Sequence, residues 1–473
     1  MKQTLGLIVG NRGFFPAELA RDGRKKMLSL LTGWGYDVVC LSPEDTRYGA
    51  VETADDARKC AELFDEHRKT ISGVVVALPN FGDEKAIAHT LRQSGLNVPV
   101  LVQAFPDDPS TMTIESRRDS FCGKLSVCSN LRQFGIPFSL TGEHTVHPDS
   151  EIFAGDIAWF SAVCRVVNGF KNLKAGAIGA RPNAFNTVRF SEKILESFGI
   201  SVETADLSEI IGQANRLADS EAKVTGKLAE IKAYIPSEGV PEASLTKMAK
   251  LAVVLDEWIA ASGVKLFAFQ CWTSIQKNYG IMPCTVMSMF SEKLLPAACE
   301  VDLTGGLGMY ALQLASGTPS ALVDWNNNYG DDPDKAVLFH CSNYPRSLLE
   351  NPRMGFGDIL SSSAVSKDQA YGTCYGTIPA GPATLARLAT DDTTGGITAY
   401  IAEGEILPER IDTFGGIGIV DIPELQDLLN HLCEGGFEHH VALNLSYSGD
   451  VLNEAFQKYL GFDTYFHGPL DMV

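Results

Sequence analysis

Basic residues are scarce in this chain of 473 residues: 39 Lys and Arg stand against 58 Asp and Glu, a formal charge of −19. Such a chain repels polyphosphate, which argues against nonspecific nucleic-acid binding, and no Lys/Arg cluster offers an anionic-lipid patch. The same surplus welcomes a metal cation. Long apolar runs are missing as well: no window approaches the roughly 18–20 uninterrupted apolar residues of a membrane span. The short apolar run at residues 5–9 is cut by Gly10, Asn11 and Arg12 with no small-residue cleavage site, so it reads as a first β-strand rather than a signal peptide. The eleven cysteines are scattered, none in a CxxC pair matched by a second pair at zinc-site spacing, and they read as free buried thiols in a reducing cytoplasm. A cytoplasmic protein with neither nucleic-acid nor membrane partners is expected.

What is present is an ordinary globular composition, 45% hydrophobic and 21% charged, which excludes disordered and low-complexity scaffolds. At roughly 150 residues per domain the length implies about three domains. Residues 1–171 alternate short β-branched runs (5–9, 37–41, 73–78, 98–103) with stretches at helical spacing (16–35, 54–70). Buried strands alternating with helices imply a parallel, Rossmann-like sheet. The pattern repeats over residues 172–318, with strands at 175–180, 201–204 and 265–270 and helices at 187–198 and 242–261. Over residues 319–473 the texture changes to alternating strands at 336–340, 370–378, 384–388, 396–405 and 416–420, with a hairpin-type turn at Thr393-Thr-Gly-Gly396 and one helix near 449–460. The expected fold is therefore α/β: two Rossmann-like α/β domains followed by a mostly antiparallel, β-barrel-like C-terminal domain.

Gly10-Asn-Arg-Gly13 follows the first strand, where a ligand loop is possible, but it lacks the three-glycine dinucleotide spacing and reads as a plain turn or a sugar-contacting loop. The acidic candidates are Glu300, in Pro296-Ala-Ala-Cys-Glu-Val-Asp302, and Asp324, in Ala321-Leu-Val-Asp-Trp-Asn-Asn-Asn328. Each follows apolar residues, where a carboxylate is expensive to bury unless it is paired, hydrogen-bonded or on a metal. A lone Asp there is also an ordinary turn or cap, and a lone His such as His340 an ordinary buried or surface residue. His439 and His440, adjacent and lying between Gly435-Gly436 and an apolar run, are harder to dismiss.

Taken together, these residues resemble the L-fucose isomerase and L-arabinose isomerase family of metal-dependent aldose-ketose isomerases. Glu300 and Asp324 stand 24 positions apart, as do the paired metal carboxylates of the fucose isomerase branch, and His340 follows 16 later, near a histidine ligand of the arabinose branch. Gly435-Gly-Phe-Glu-His-His440 is similar to a C-terminal Gly-Gly-x-His-His element whose second histidine is a ligand, and residues 390–405 are similar to a hairpin of the fucose isomerase C-terminal domain. The resemblance implies Glu300, Asp324 and His440 as metal ligands, the two carboxylates as catalytic acid and base, and His340 as a further ligand or substrate contact. It also implies a homo-oligomer, trimer or hexamer, whose sites are completed by a neighbour's first domain, near residues 11–14 or 80–82.

The chemistry agrees. Moving a carbonyl from carbon 1 to carbon 2 of a sugar removes a carbon-bound proton, passes through an enediolate and returns the proton, and a chelating divalent ion stabilises the developing anion. Two carboxylates and a histidine suit Mn²⁺ better than structural zinc, with Co²⁺ or Mg²⁺ able to substitute. Substrate contacts are expected from Gln270 and Trp272, at the end of a buried strand, and from Trp325, His340 and His439. The expectation is thus a Mn²⁺-dependent intramolecular oxidoreductase acting on a small sugar. Two rivals stay open: an epimerase or aldolase using the same enediolate chemistry, and a noncatalytic sugar-binding protein built on the two α/β blocks.

Overall fold

The computed structural model describes residues 3–110 and 112–468. The chain divides into two compact units, one of residues 1–168 with 454–461 and one of residues 169–453 with 462–473. The first unit carries five parallel strands, β1 (Thr4–Val9), β2 (Asp37–Val39), β3 (Ile71–Leu78), β4 (Val100–Ala104) and β5 (Ser139–Leu140), in the order β2-β1-β3-β4-β5. The apolar runs of β1 and β3 are buried nearly throughout, as a sheet covered on both faces requires. Helices Ala17–Gly33 and Ala54–Glu66 lie where the spacing predicts them, and a Thr53–Asp56 capping box starts the second.

The second unit opens with β6 (Leu173–Ile178), β7 (Ile200–Ala205), β8 (Leu266–Phe269) and β9 (Ala297–Ala298), again all parallel, in the order β7-β6-β8-β9. Nine more strands follow: β10 (Ala321–Asn328), β11 (Lys335–His340), β12 (Glu350–Phe356), β13 (Tyr371–Thr377), β14 (Gly381–Asp391), β15 (Gly396–Ile406), β16 (Gly416–Asp421), β17 (His440–Asn444) and β18 (Asp463–His467). They form one mixed sheet, β12-β13-β16-β11-β10-β17-β14-β15-β18, antiparallel except at β13–β16 and β15–β18. β15 also pairs with β16, so the pairings run from β16 through β11, β10, β17, β14 and β15 back to β16. The 393–396 turn joins β14 to β15 with Asp391 opposite Gly396.

The expected strands of the C-terminal third are present, with one difference. Asp324 does not end a strand before a polar loop: β10 continues to Asn328, pairing with β11 across a bulge, and the carboxylate stands mid-strand. Helix Leu303–Ser316 packs against β8 and against β14 and β17. Gly306 approaches Leu266 and Ala298, while Gly308 meets the Ala386 carbonyl and Ala442, so small residues let one helix lie close to both sheets. One buried core of the second unit accordingly draws on both, from Phe267 and Phe269 to Leu385 and Leu443. Among the described residues no helix is long and apolar enough to cross a membrane.

Candidate active site

Five chain segments converge at the C-terminal ends of β8 and β9, the end at which open parallel sheets bind ligands. Cys271 and Trp272 follow β8, Glu300 follows β9, Asp324 lies in β10, His340 ends β11 and His440 begins β17. Asp324 and His440 are direct cross-strand partners, which places their side chains on one face of the sheet. Glu300 and Val301 both adopt left-handed backbone (φ 56° and 58°), a conformation that costs about 1–3 kcal/mol for a non-glycine residue and is held here by the surrounding structure. The chain then turns into helix Leu303–Ser316, whose N-cap Asp302 accepts from the Gly305 amide at 2.9 Å.

Each oxygen of Glu300 has its own environment. Oε1 accepts from Trp272 Nε1 at 2.9 Å and from Cys271 Sγ at 3.4 Å. Oε2 is buried with no hydrogen-bond partner and lies 3.9 Å from His340 Nε2. Asp324 Oδ1 is likewise buried and unpartnered, 3.3 Å from His440 Nε2 and 3.8 Å from His439 Nε2. His440 Nδ1 lies 2.9 Å from Asp302 Oδ2, and His340 Nδ1 bonds the Ser342 carbonyl. The Asp302 acceptor on His440 Nδ1 holds the proton there, so the His440 Nε2 lone pair turns inward, the arrangement of a carboxylate–histidine–metal triad.

Behind His440, the fully buried Arg387 of β14 donates to Asp302 at 2.5 and 3.0 Å, to Thr304 at 3.0 Å and to Glu438 at 3.0 Å. Burial alone would push the Asp302 carboxyl up, but the Arg387 charge and His440 hold it well below the usual carboxylate range. Burial likewise pushes Glu300 up and is outweighed by the neighbouring His340, the charge of His440 and the Trp272 donor, leaving it lowered. His340 is drawn down by burial but raised to about 9 by the adjacent Glu300 carboxylate and the charge of Asp324.

Asp302 and Glu438 share the Arg387 guanidinium, while Glu300 and Asp324 have histidines as their only ion-pair neighbours among the described residues. The negative field that raises His340 is one a divalent cation answers, and the two unpartnered oxygens with the Nε2 of His440 are hard donors suited to it. Ligand atoms of Glu300, His340 and His440 lie within 4.8 Å of one another, as do those of Asp324, His439 and His440. The residues present fit a divalent ion shared through His440.

These groups open into a cavity of about 370 Å³, within the size range of small-molecule sites. Trp272, Glu300, Asp324, His340 and His440 line it, with Phe185 stacked edge-on against Trp272 and walls of Met282, Phe339, Ile359, Leu360 and Phe414. Of the expected substrate contacts, Trp272 and His340 are brought to this cavity. Gln270 is not among its lining residues: its side chain accepts from the Ala180 amide and braces the turn after β6. Trp325 and His439 line a larger cavity of about 660 Å³ with Asn326–Asn328 and Phe437, and the Trp325 indole donates to Tyr400. Asp302, Arg387, Glu438 and Phe185 went unassigned in the sequence. For Arg387 a signal existed, one charged residue inside the strand Thr384-Leu-Ala-Arg-Leu388, where burial demands partners.

Residues 6–171 match the family described as Fucose/sulfoquinovose isomerase, N-terminal domain, and residues 338–467 match L-fucose isomerase, C-terminal domain. Similar proteins include the sulfoquinovose isomerases of Priestia aryabhattai (25% identical, covering 69% of this chain and 71% of that protein), Clostridium sp. strain MSTE9 (25%; 65% and 67%) and Alkalicoccus urumqiensis (25%; 69% and 71%). These matches speak for isomerisation over the rival readings of a noncatalytic binder, an epimerase or an aldolase. With the two domain matches together spanning more than half of its length, the chain belongs to the fucose isomerase family and is an aldose-ketose isomerase of sugar metabolism.

Proposed function

We propose that the chain isomerises a six-carbon aldose modified at carbon 6 to its ketose in the Glu300 cavity, with sulfoquinovose, the sugar named for its relatives, as the leading substrate. The observation that carries this reading is the pair of buried, unpartnered oxygens, Glu300 Oε2 and Asp324 Oδ1, facing inward beside His440 Nε2. Bound by Glu300, Asp324 and His440, Mn²⁺ would supply Lewis-acid stabilisation of the charge that builds on the sugar oxygens. Trp272 anchors one Glu300 oxygen and so aims the other, which takes the proton from carbon 2 of the open-chain aldose and returns it to carbon 1. Asp324 relays the hydroxyl proton between the two oxygens. Phe185, Trp272 and Phe339 keep water from the enediolate.

A second reading of the sugar rests on the apolar wall of Met282, Ile359, Leu360 and Phe414, which suits the methyl end of a 6-deoxyhexose. The same proposal takes residues 1–171, 172–318 and 319–473 as three domains, the closed ring of six strand pairings as a barrel, and the protein as a cytoplasmic homo-oligomer.

The test is turnover of sulfoquinovose, 6-deoxyhexoses and unmodified aldoses by metal-stripped protein with and without Mn²⁺, beside Glu300→Gln. Ketose should form only with the ion, and the variant should lose about 10²–10⁴-fold in kcat. Turnover that survives chelation or the substitution would overturn the assignment.

A further inference from the structure

Two cysteines, Cys271 and Cys299, stand beside Glu300. Cys271 Sγ touches Glu300 Oε1 and also accepts from the Glu300 amide, both at 3.4 Å. The Cys299 sulfur accepts from Asn343 Nδ2 at 3.4 Å. Both are buried and free, and Cys271 lines the 370 Å³ cavity, which gives an ion a path to the site. Ligand atoms of Cys271, Cys299 and Glu300 lie within 4.8 Å of one another.

We propose that Cys271, Cys299 and Glu300 form a second cation site, for a thiophilic divalent ion of the Zn²⁺ or Cd²⁺ type. The two sides of Glu300 then differ in chemistry. Oε2 faces imidazole and carboxylate donors that take hard or borderline ions, whereas Oε1 faces sulfur, which selects soft ones. Two sulfurs and a carboxylate oxygen supply three corners of a tetrahedral site whose fourth a water can take, and sulfur–metal bonds of about 2.3 Å ask atoms now within 4.8 Å of one another to draw together by about an ångström. The ion deprotonates the thiols it binds, and the Glu300 and Asn343 N–H donors already aimed at sulfur stabilise the thiolates. An ion held there engages the same carboxylate that isomerisation uses, so it inhibits without displacing the ion beside His440. This consequence rests on the catalytic role proposed for Glu300; the binding does not.

The test is Cd²⁺ titration of the metal-free full chain, read by ultraviolet thiolate-to-cadmium absorption, which ligands of the histidine side cannot produce. One ion per chain is expected, with the absorption largely lost in Cys271→Ser and in Cys299→Ser and kept when the exposed Cys122 and Cys433 are both replaced by Ser. Absorption that is absent, or unchanged in Cys271→Ser, overturns the site. Because a core serine can unfold the chain, X-ray absorption on the unaltered protein with one equivalent of Zn²⁺ decides separately. Sulfur neighbours at about 2.3 Å support the site, and nitrogen and oxygen neighbours alone, at about 2.0–2.2 Å, overturn it. Neither readout uses sugar turnover, so failure of the isomerase assignment leaves both standing.

Discussion

Glu300 carries its role by having two unlike oxygens. One is tied to the Trp272 indole, which fixes the carboxylate, and the other is left without a donor in a buried place, a costly state unless something chemical occupies it. His440 is set by Asp302 in the same way, since an acceptor on Nδ1 leaves Nε2 as a ligand. Asp302→Asn keeps the size but weakens that acceptor, and should lower Mn²⁺ affinity about 10–100-fold with the fold retained. Calorimetric titration beside far-ultraviolet circular dichroism checks this, and wild-type affinity would remove Asp302 from the site. Glu300 and His440 were legible as residues because their motifs resemble known ones. The bond between Asp302 and a histidine 138 positions later was not, because nothing local marks it.

At the scale of elements, helix Leu303–Ser316 joins the parallel sheet to the mixed one. Gly308 lets it approach β14 and β17, and Arg387 ties β14 to its N-cap. Arg387 and Asp302 are fully buried, so removing the guanidinium strands two carboxylates in the core. Arg387→Met should cost about 3–5 kcal/mol of unfolding free energy in urea; a loss below about 1 kcal/mol would show that the network does not hold the helix. The depressed Asp302 pKa has a definite sign. Its contribution is full above the ordinary carboxyl value of about 3.9 and fades only as the pH falls toward the lowered one, so this pair is insensitive to pH across the neutral range.

For the molecule as a whole, the charge of −19 attracts cations in any state of the chain, whereas the carboxylates gathered at the site favour a cation that binds the folded chain and not the unfolded one. At a hundred times its dissociation constant, Mn²⁺ should add about 2.7 kcal/mol of stability. The thermal midpoint should therefore rise with Mn²⁺, fall back with chelator and respond less in Glu300→Gln. A midpoint that ignores the ion would exclude binding by Glu300, Asp324 and His440.

Local pattern determined much of this protein. Buried β-branched runs alternating with helical spacing specify the two parallel sheets, because period and burial are written into neighbouring residues, and the hairpin between β14 and β15 follows from its Gly-Gly turn. The candidate ligands were visible for a similar reason, as polar residues set in apolar runs. Tertiary structure alone decided which faces met. It carried β10 past Asp324, turned Trp325 and His439 toward another cavity, gave Gln270 a turn to brace, and brought Arg387 and Cys271 to the carboxylates. Those contacts join residues tens to more than a hundred positions apart, and their energies depend on burial and pairing that exist only once the sheets have packed.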